Sequence, residues 1–176
     1  MAINSRRKGH DFERDIVQML NQYYGIKEET YKWKRVPQSG GFDKRNFPGD
    51  VYTMHPHLAT AKKFSIECKF HKDWKLEDLI NGNKPSIQEW WDQARTDAEI
   101  GGKCPLLLFK KNRSSIYFMA VDRDIEPYLI YKNTYDIPML KYRNRVKGRF
   151  QPLLEAMVQY ELDMGNYEEQ NHQSED

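Results

Sequence analysis

Residues 64–70, FSIECKF, alternate without a break: Phe64, Ile66, Cys68 and Phe70 fall on one side of an extended chain, and Ser65, Glu67 and Lys69 on the other. A two-residue period held for seven residues reads as a strand with an apolar face for a core and a second face carrying a carboxylate and an amine. Upstream, residues 49–54 (GDVYTM) and 30–36 (TYKWKRV) read as two more strands. They flank QSGGFDKRNFPGD (38–50), a loop dense in turn residues. Before them, Phe12, Ile16, Met19, Leu20 and Tyr23 line one face of a helix over 8–24, and Gly25 stops it. Downstream, Ser86 and Glu89 form a capping box that opens a helix to about residue 100, with Ile87, Trp91, Ala94 and Ala98 as its core stripe. PLLLFK (105–110) and SIYFMAV (115–121), joined by KNRS, read as a hairpin, and 150–160 as a closing helix. This order predicts an α/β domain with a mixed central β-sheet flanked by helices.

The chain has 176 residues, the length of one domain. Charged residues reach 31% against 39% apolar, but aromatics at 13% supply a core and argue against wholesale disorder. No run approaches the eighteen or so apolar residues of a membrane span. The basic start MAINSRRKGHDF has no apolar run behind it, as a signal peptide would. A soluble cytoplasmic protein is expected (host cytoplasm for a viral one). Two cysteines, Cys68 and Cys104, make no disulfide framework and read as buried thiols. Cys68, His71, His55 and His57 have zinc-ligand chemistry without a zinc-site spacing.

The net charge of +2 hides an asymmetry. Residues 161–176 hold six acidic residues and no Lys or Arg, which leaves 28 basic against 20 acidic, or +8, on the rest. A single basic domain over 1–160 and an acidic, disordered tail over 161–176 are expected. A polyanion is the expected partner, an ordinary solvated surface the alternative.

Glu67 and Lys69 on an exposed edge strand would be a surface ion pair worth little. Asp50 gives them another meaning. It follows Pro48-Gly49 at the start of the preceding strand, and if the two strands pair, Asp50 and Glu67 converge at one sheet end. Carboxylates brought together repel unless a cation lies between them. Hard oxygen donors at partial coordination, completed by water, suit Mg²⁺ or Mn²⁺. Such an ion polarises a phosphate and lowers the pKa of a bound water, and Lys69 beside it would orient that water or stabilise phosphate charge. Glu13, beside the apolar stripe of the first helix, is a third acidic candidate.

Taken in order, KGHDFERDIVQML, KRVPQSGG, PGDVY and FSIECKF resemble the PD-(D/E)xK nuclease superfamily, and within it the archaeal-type Holliday junction resolvases and their phage relatives. The likeness covers roughly residues 6–110. Gly9, Glu13 and Arg14 match the first helix of that family; Arg35, Ser39 and Gly40 match the Arg and Ser-Gly loop ahead of the metal-binding Asp; Asp50, Glu67, Cys68 and Lys69 match the Asp and Glu-x-Lys. The resemblance implies a restriction-endonuclease-like core, divalent-metal phosphodiester cleavage and a homodimer. It implies that Asp50 and Glu67 bind metal, that Glu13 assists as a further metal residue, and that Lys69 acts on the attacking water. Arg14, Arg35 and Ser39 would contact DNA phosphate, and Gln93 would face the site from the next helix. The stretch MHPHLATAKKF is long for a minimal resolvase, and the region beyond 121 has no counterpart in it.

Other cations extend the implied DNA surface: Arg6, Arg7 and Lys8 at the first helix, Lys44 and Arg45 at the Ser-Gly loop, and Lys110, Lys111 and Arg113 at the hairpin turn. Lys141, Arg143, Arg145, Lys147 and Arg149 form a late basic run, with a solvated helix or loop face as its alternative. Trp33, Trp74, Trp90 and Trp91 are candidates for stacking on unpaired bases, with the core the stronger reading for Trp91, on the apolar stripe, and an interface the alternative for Trp90. The expectation is a metal-dependent, structure-selective DNA endonuclease that resolves four-way junctions. A nuclease of flap, single-strand or restriction-like specificity, or a non-catalytic DNA-binding protein of the same fold, is the alternative.

Overall fold

Phe12, Ile16 and Leu20, four residues apart and none more than 1% exposed, form the buried stripe of helix α1 (Ile3–Tyr24). Gly25, at φ +61°, turns the chain out of it. The computed structural model describes residues 3–37, 43, 45–72, 74, 85–131, 139–142 and 144–164. From the sheet edge, β1 (Lys34–Arg35) pairs antiparallel with β2 (Val51–Tyr52), and β2 with β3 (Phe64–Phe70), which a short helix α2 (Ala59–Lys63) precedes. Helix α3 (Pro85–Ile100) then carries the chain back, so that β4 (Cys104–Lys110) runs parallel to β3, with Glu67 opposite Leu107. The expected hairpin follows, as β5 (Tyr117–Val121) returns antiparallel to β4. Helix α4 (Asp122–Tyr131), the pair β6 (Met139–Tyr142) and β7 (Arg145–Arg149), and helix α5 (Phe150–Asp163) complete the fold. Among the described residues the sheet has seven strands in the order β1-β2-β3-β4-β5-β7-β6, the mixed sheet with flanking helices that the alternating segments imply.

β3 is interior to this sheet, and both its faces are covered. Phe64, Ile66 and Cys68 join the larger core with α1 and α5. On the other side α3 and the sheet enclose Trp74, Ile87, Trp91, Leu107, Phe109 and Met119. Ser65 and Glu67 are therefore buried as well, each 2% exposed. A charged residue at that depth has to be matched by a partner, which excludes the reading of Glu67–Lys69 as a solvated edge pair.

Several local expectations change. Trp33 and Trp74 are each 2% exposed; they are core residues and present no ring for a base to stack on. Trp91 is buried as expected, while Trp90 lies against His71 and Phe109 at the border of the second core. The late basic run forms the β6–β7 pair instead of a solvated helix or loop. Lys147 within it is 5% exposed, and burial, with Arg145 beside it, pushes its ammonium below the usual lysine range. The boundary expected at 160 falls inside α5. Glu161 is fully buried and accepts hydrogen bonds from the main-chain N–H groups of Ala59 (3.0 Å) and Thr60 (2.5 Å), capping α2 from a hundred residues away. Of the expected tail, residues 165–176 lie outside the described ones. No helix among the described residues is long and apolar enough to cross a membrane.

Candidate active site

The site begins with a glycine that nothing else replaces. Gly49 has φ +84°, and a Cβ there would stand 2.4 Å from the carbonyl oxygen of Ile66. That close approach lets the Asp50 N–H donate to the Ile66 carbonyl at 2.8 Å, while Val36, just past β1, donates to the Asp50 carbonyl at 2.8 Å. Pro48 is braced from the far side, because it packs against Gly101 at the end of α3, where a Cβ would meet its ring at 2.4 Å. With the backbone held at three points, the Asp50 side chain turns toward β3, and its Oδ2 accepts the N–H of Cys68 at 2.7 Å.

Asp50 and Glu67 converge as the strand pairing requires. Burial, and then the charge of Glu67, push the Asp50 carboxyl up to about 7; the Cys68 hydrogen bond opposes this, Glu13 adds to it, and Lys69 opposes it. Lys69 Nζ stands 2.7 Å from Glu67 Oε1. Burial alone would lower the Lys69 ammonium, but the Glu67 charge and hydrogen bond outweigh it, so the group is held above the usual lysine range. Burial pushes the Cys68 thiol well up, and Asp50 and Glu67 push it further, so it is a core side chain and no nucleophile. Glu13, 6% exposed, receives Arg35 Nε and Nη2 at 2.7 and 2.6 Å on one oxygen.

No group of three His, Cys, Asp or Glu side chains among the described residues is arranged to hold an ion. Among the described residues Cys68, His55, His57 and His71 are not brought together as such a group. The acidic centre is instead a carboxylate pair, with Glu13 within electrostatic reach and tied to Arg35. The donor chemistry of that pair fits a hard divalent cation that keeps several waters. The proton that Asp50 retains near neutrality marks a negative charge which the interior leaves uncompensated and which a cation would relieve.

The expected DNA contacts are spread more widely. Lys8 lies over the Phe70 ring at 5.8 Å, at the end of β3. Lys110 lies over Phe12 and 3.7 Å from Asp15 on the same side of the sheet. Lys111 donates to the Trp74 carbonyl and covers its ring, and Arg113, at φ +56°, is exposed in the hairpin turn. Arg7 and Arg14 are exposed on α1, both paired with Asp11. Arg45 is exposed beside Asp43. Gln93 is exposed on α3, and no described contact joins it to the carboxylates. Ser39, Lys44 and the side chain of Arg6 lie outside the described residues. Sequence reasoning missed the Cys68 N–H, because a main-chain donor leaves no residue-type signal. It also missed Gly49 as a fixed point, which the Pro-Gly-Asp turn announces.

The chain resembles known proteins along most of its length. It is 30% identical to Protein D14 of Escherichia phage T5 over 158 residues, which is 88% of this chain and 94% of that protein. Among solved structures, the Holliday junction resolvase Hjc of Archaeoglobus fulgidus aligns with 84% of this chain and 87% of its own, at 15% identity and a TM-score of 0.36. The family described as "Phage putative PDDEXK endonuclease" matches residues 4–164, a span that holds Glu13, Asp50, Glu67 and Lys69. The chain belongs to that phage PDDEXK endonuclease family.

Proposed function

We propose that the protein is a metal-dependent, structure-selective DNA endonuclease that hydrolyses phosphodiester bonds in four-way junctions. The observation that carries this reading is the buried Asp50–Glu67 pair with Lys69 hydrogen-bonded at its rim. Asp50 and Glu67 hold the ion, Mg²⁺ or Mn²⁺, with Glu13 as an outer third carboxylate. Bound there, the ion supplies Lewis-acid polarisation of the phosphate and a water of lowered pKa. Asp50 would hold the ion as a carboxylate. Lys69, held against Glu67 at 2.7 Å, would orient the water or stabilise phosphate charge. Lys8, Lys111 and Arg113, with the arginines of α1 and the cations of the 38–45 loop, contact the backbone; such contacts carry affinity without sequence preference. A homodimer acting in the host cytoplasm is part of the proposal, as two sites would serve two strands of one junction.

The test is cleavage of junction, flap, single-strand and plain duplex DNA side by side, with Mg²⁺ or Mn²⁺. Preferential cutting of the junction is expected. Asp50→Asn and Glu67→Gln should abolish cleavage and keep binding, and Lys69→Met should slow it by about 10²–10³-fold. A protein that leaves all four substrates intact is no nuclease, and one that prefers flaps or duplex has another specificity. Light scattering in solution decides the dimer.

A further inference from the structure

Glu13 is buried on α1, and among the described residues its partner is Arg35. Both contacts fall on the single oxygen Oε2, from Nε and Nη2. A guanidinium carries five N–H bonds in one rigid plane. Two groups of Arg35 serve Glu13, and among the described residues Nη1 is left over, on a side chain that keeps 26% of its surface in water. Arg35 thus holds a buried carboxylate while part of its own side chain stays in water.

Its place in the chain ties it to the catalytic carboxylates. Arg35 stands opposite Val51 in the β1–β2 pair, and the next residue, Val36, holds the Asp50 carbonyl. The Glu13 charge is felt at Asp50. A residue that only anchored DNA would need no buried carboxylate behind it, since taking Glu13 out of water costs free energy that Arg35 has to offset. One that only neutralised Glu13 would not need to reach the surface.

Resting on the nuclease reading above, we propose that Arg35 is a positioning residue that couples the DNA backbone to the metal site. Its inner N–H groups hold Glu13, and a phosphate taken by its outer edge loosens that hold, so that the Glu13 charge serves the cation held by Asp50 and Glu67. DNA binding then tightens metal binding, and metal tightens DNA by the same factor.

The experiment is calorimetric titration with Mn²⁺ in a Lys69→Met background, where cleavage is slowed, with the junction shown by gel to be uncut at the end of each titration. The parent and its Glu13→Gln, Arg35→Gln and Arg35→Lys derivatives are each titrated alone and saturated with a four-way junction. The junction should tighten Mn²⁺ binding about tenfold more in the parent than in Glu13→Gln or Arg35→Gln. Arg35→Lys should restore part of this, as one ammonium cannot serve carboxylate and phosphate with the same fork. If Arg35→Gln melts early, Glu13→Gln, which keeps the side-chain shape, decides alone. Equal tightening in all variants overturns the coupling and leaves the nuclease reading standing. No Mn²⁺ binding to the parent, with or without DNA, overturns both.

Discussion

The Asp50 carboxylate is anchored by the main chain of Cys68, the residue between Glu67 and Lys69, whose N–H stands 2.7 Å from Oδ2. One residue therefore gives its backbone to the site and its side chain to the core, and three consecutive positions of β3 hold Asp50, Glu67 and Lys69 in register. Cys68→Ala should cleave DNA at the wild-type rate while losing about 1 kcal/mol of stability. Thiol-directed reagents should leave the rate unchanged. A rate that falls with the thiol would give the sulfur a chemical role.

The metal-free protein should lose stability as pH rises. The Asp50 carboxyl goes from an ordinary 3.8 to about 7 on folding, so the folded state holds a proton that the unfolded chain has released. The stability this lends is fully present below 3.8 and is lost as pH climbs through about 7. Melting in EDTA should occur a few degrees lower at pH 8 than at pH 6, and Asp50→Asn should flatten that difference. Mg²⁺ should restore the loss at pH 8 in the wild type but not in the variant. A pH-independent melting temperature in the wild type contradicts the assignment.

Two glycines of the matched motifs should respond in opposite ways. Gly49→Ala forces a Cβ onto the Ile66 carbonyl at positive φ and should cost about 1–3 kcal/mol, with cleavage lost along with the Asp50 placement. Gly9 lies inside α1 with nothing within 4 Å of a built Cβ, so Gly9→Ala should stabilise the protein by about 0.5–1 kcal/mol. Chemical denaturation measures both. If Gly9→Ala folds well but binds DNA poorly, the bare backbone at that point is the DNA contact.

Truncation should separate tail from domain. Ending the chain after residue 164 keeps Glu161 on α2 and should leave the melting temperature unchanged, with DNA affinity raised by the loss of acidic residues. Ending it after 160 removes the cap and should cost about 1–2 kcal/mol, as Glu161→Ala should. Equal melting of the two truncated forms would mean that the cap contributes nothing.

The strand at 64–70 was legible to the residue because seven alternating side chains are a strong signal, and the carboxylates came with it. β1 and β2, two residues each, are held by hydrogen bonds to Asp50 and Ile66 more than by any pattern of their own, so their wider expected spans of 30–36 and 49–54 shrank. Helix α4 was hidden by Pro127, which reads as a breaker, and α2 has too few residues for a period. The Lys141–Arg149 run carries charge at alternate positions, and that obscured a strand whose Lys147 is buried. Composition says nothing about the Arg35–Glu13 pair, because it joins residues twenty-two apart through tertiary structure alone.

The parallel register of β3 and β4 has a consequence for the birth of the enzyme. Each residue of β3 pairs with one forty positions later, and the chain between them includes α3. Closing so long a loop is slow compared with forming a hairpin. A nascent chain that has left the ribosome only as far as residue 70 carries Asp50, Glu67 and Lys69 but lacks the neighbouring strand that buries them. The carboxylates are then ordinary solvated acids. The nuclease stays unarmed through most of its own translation, and arming waits for β4.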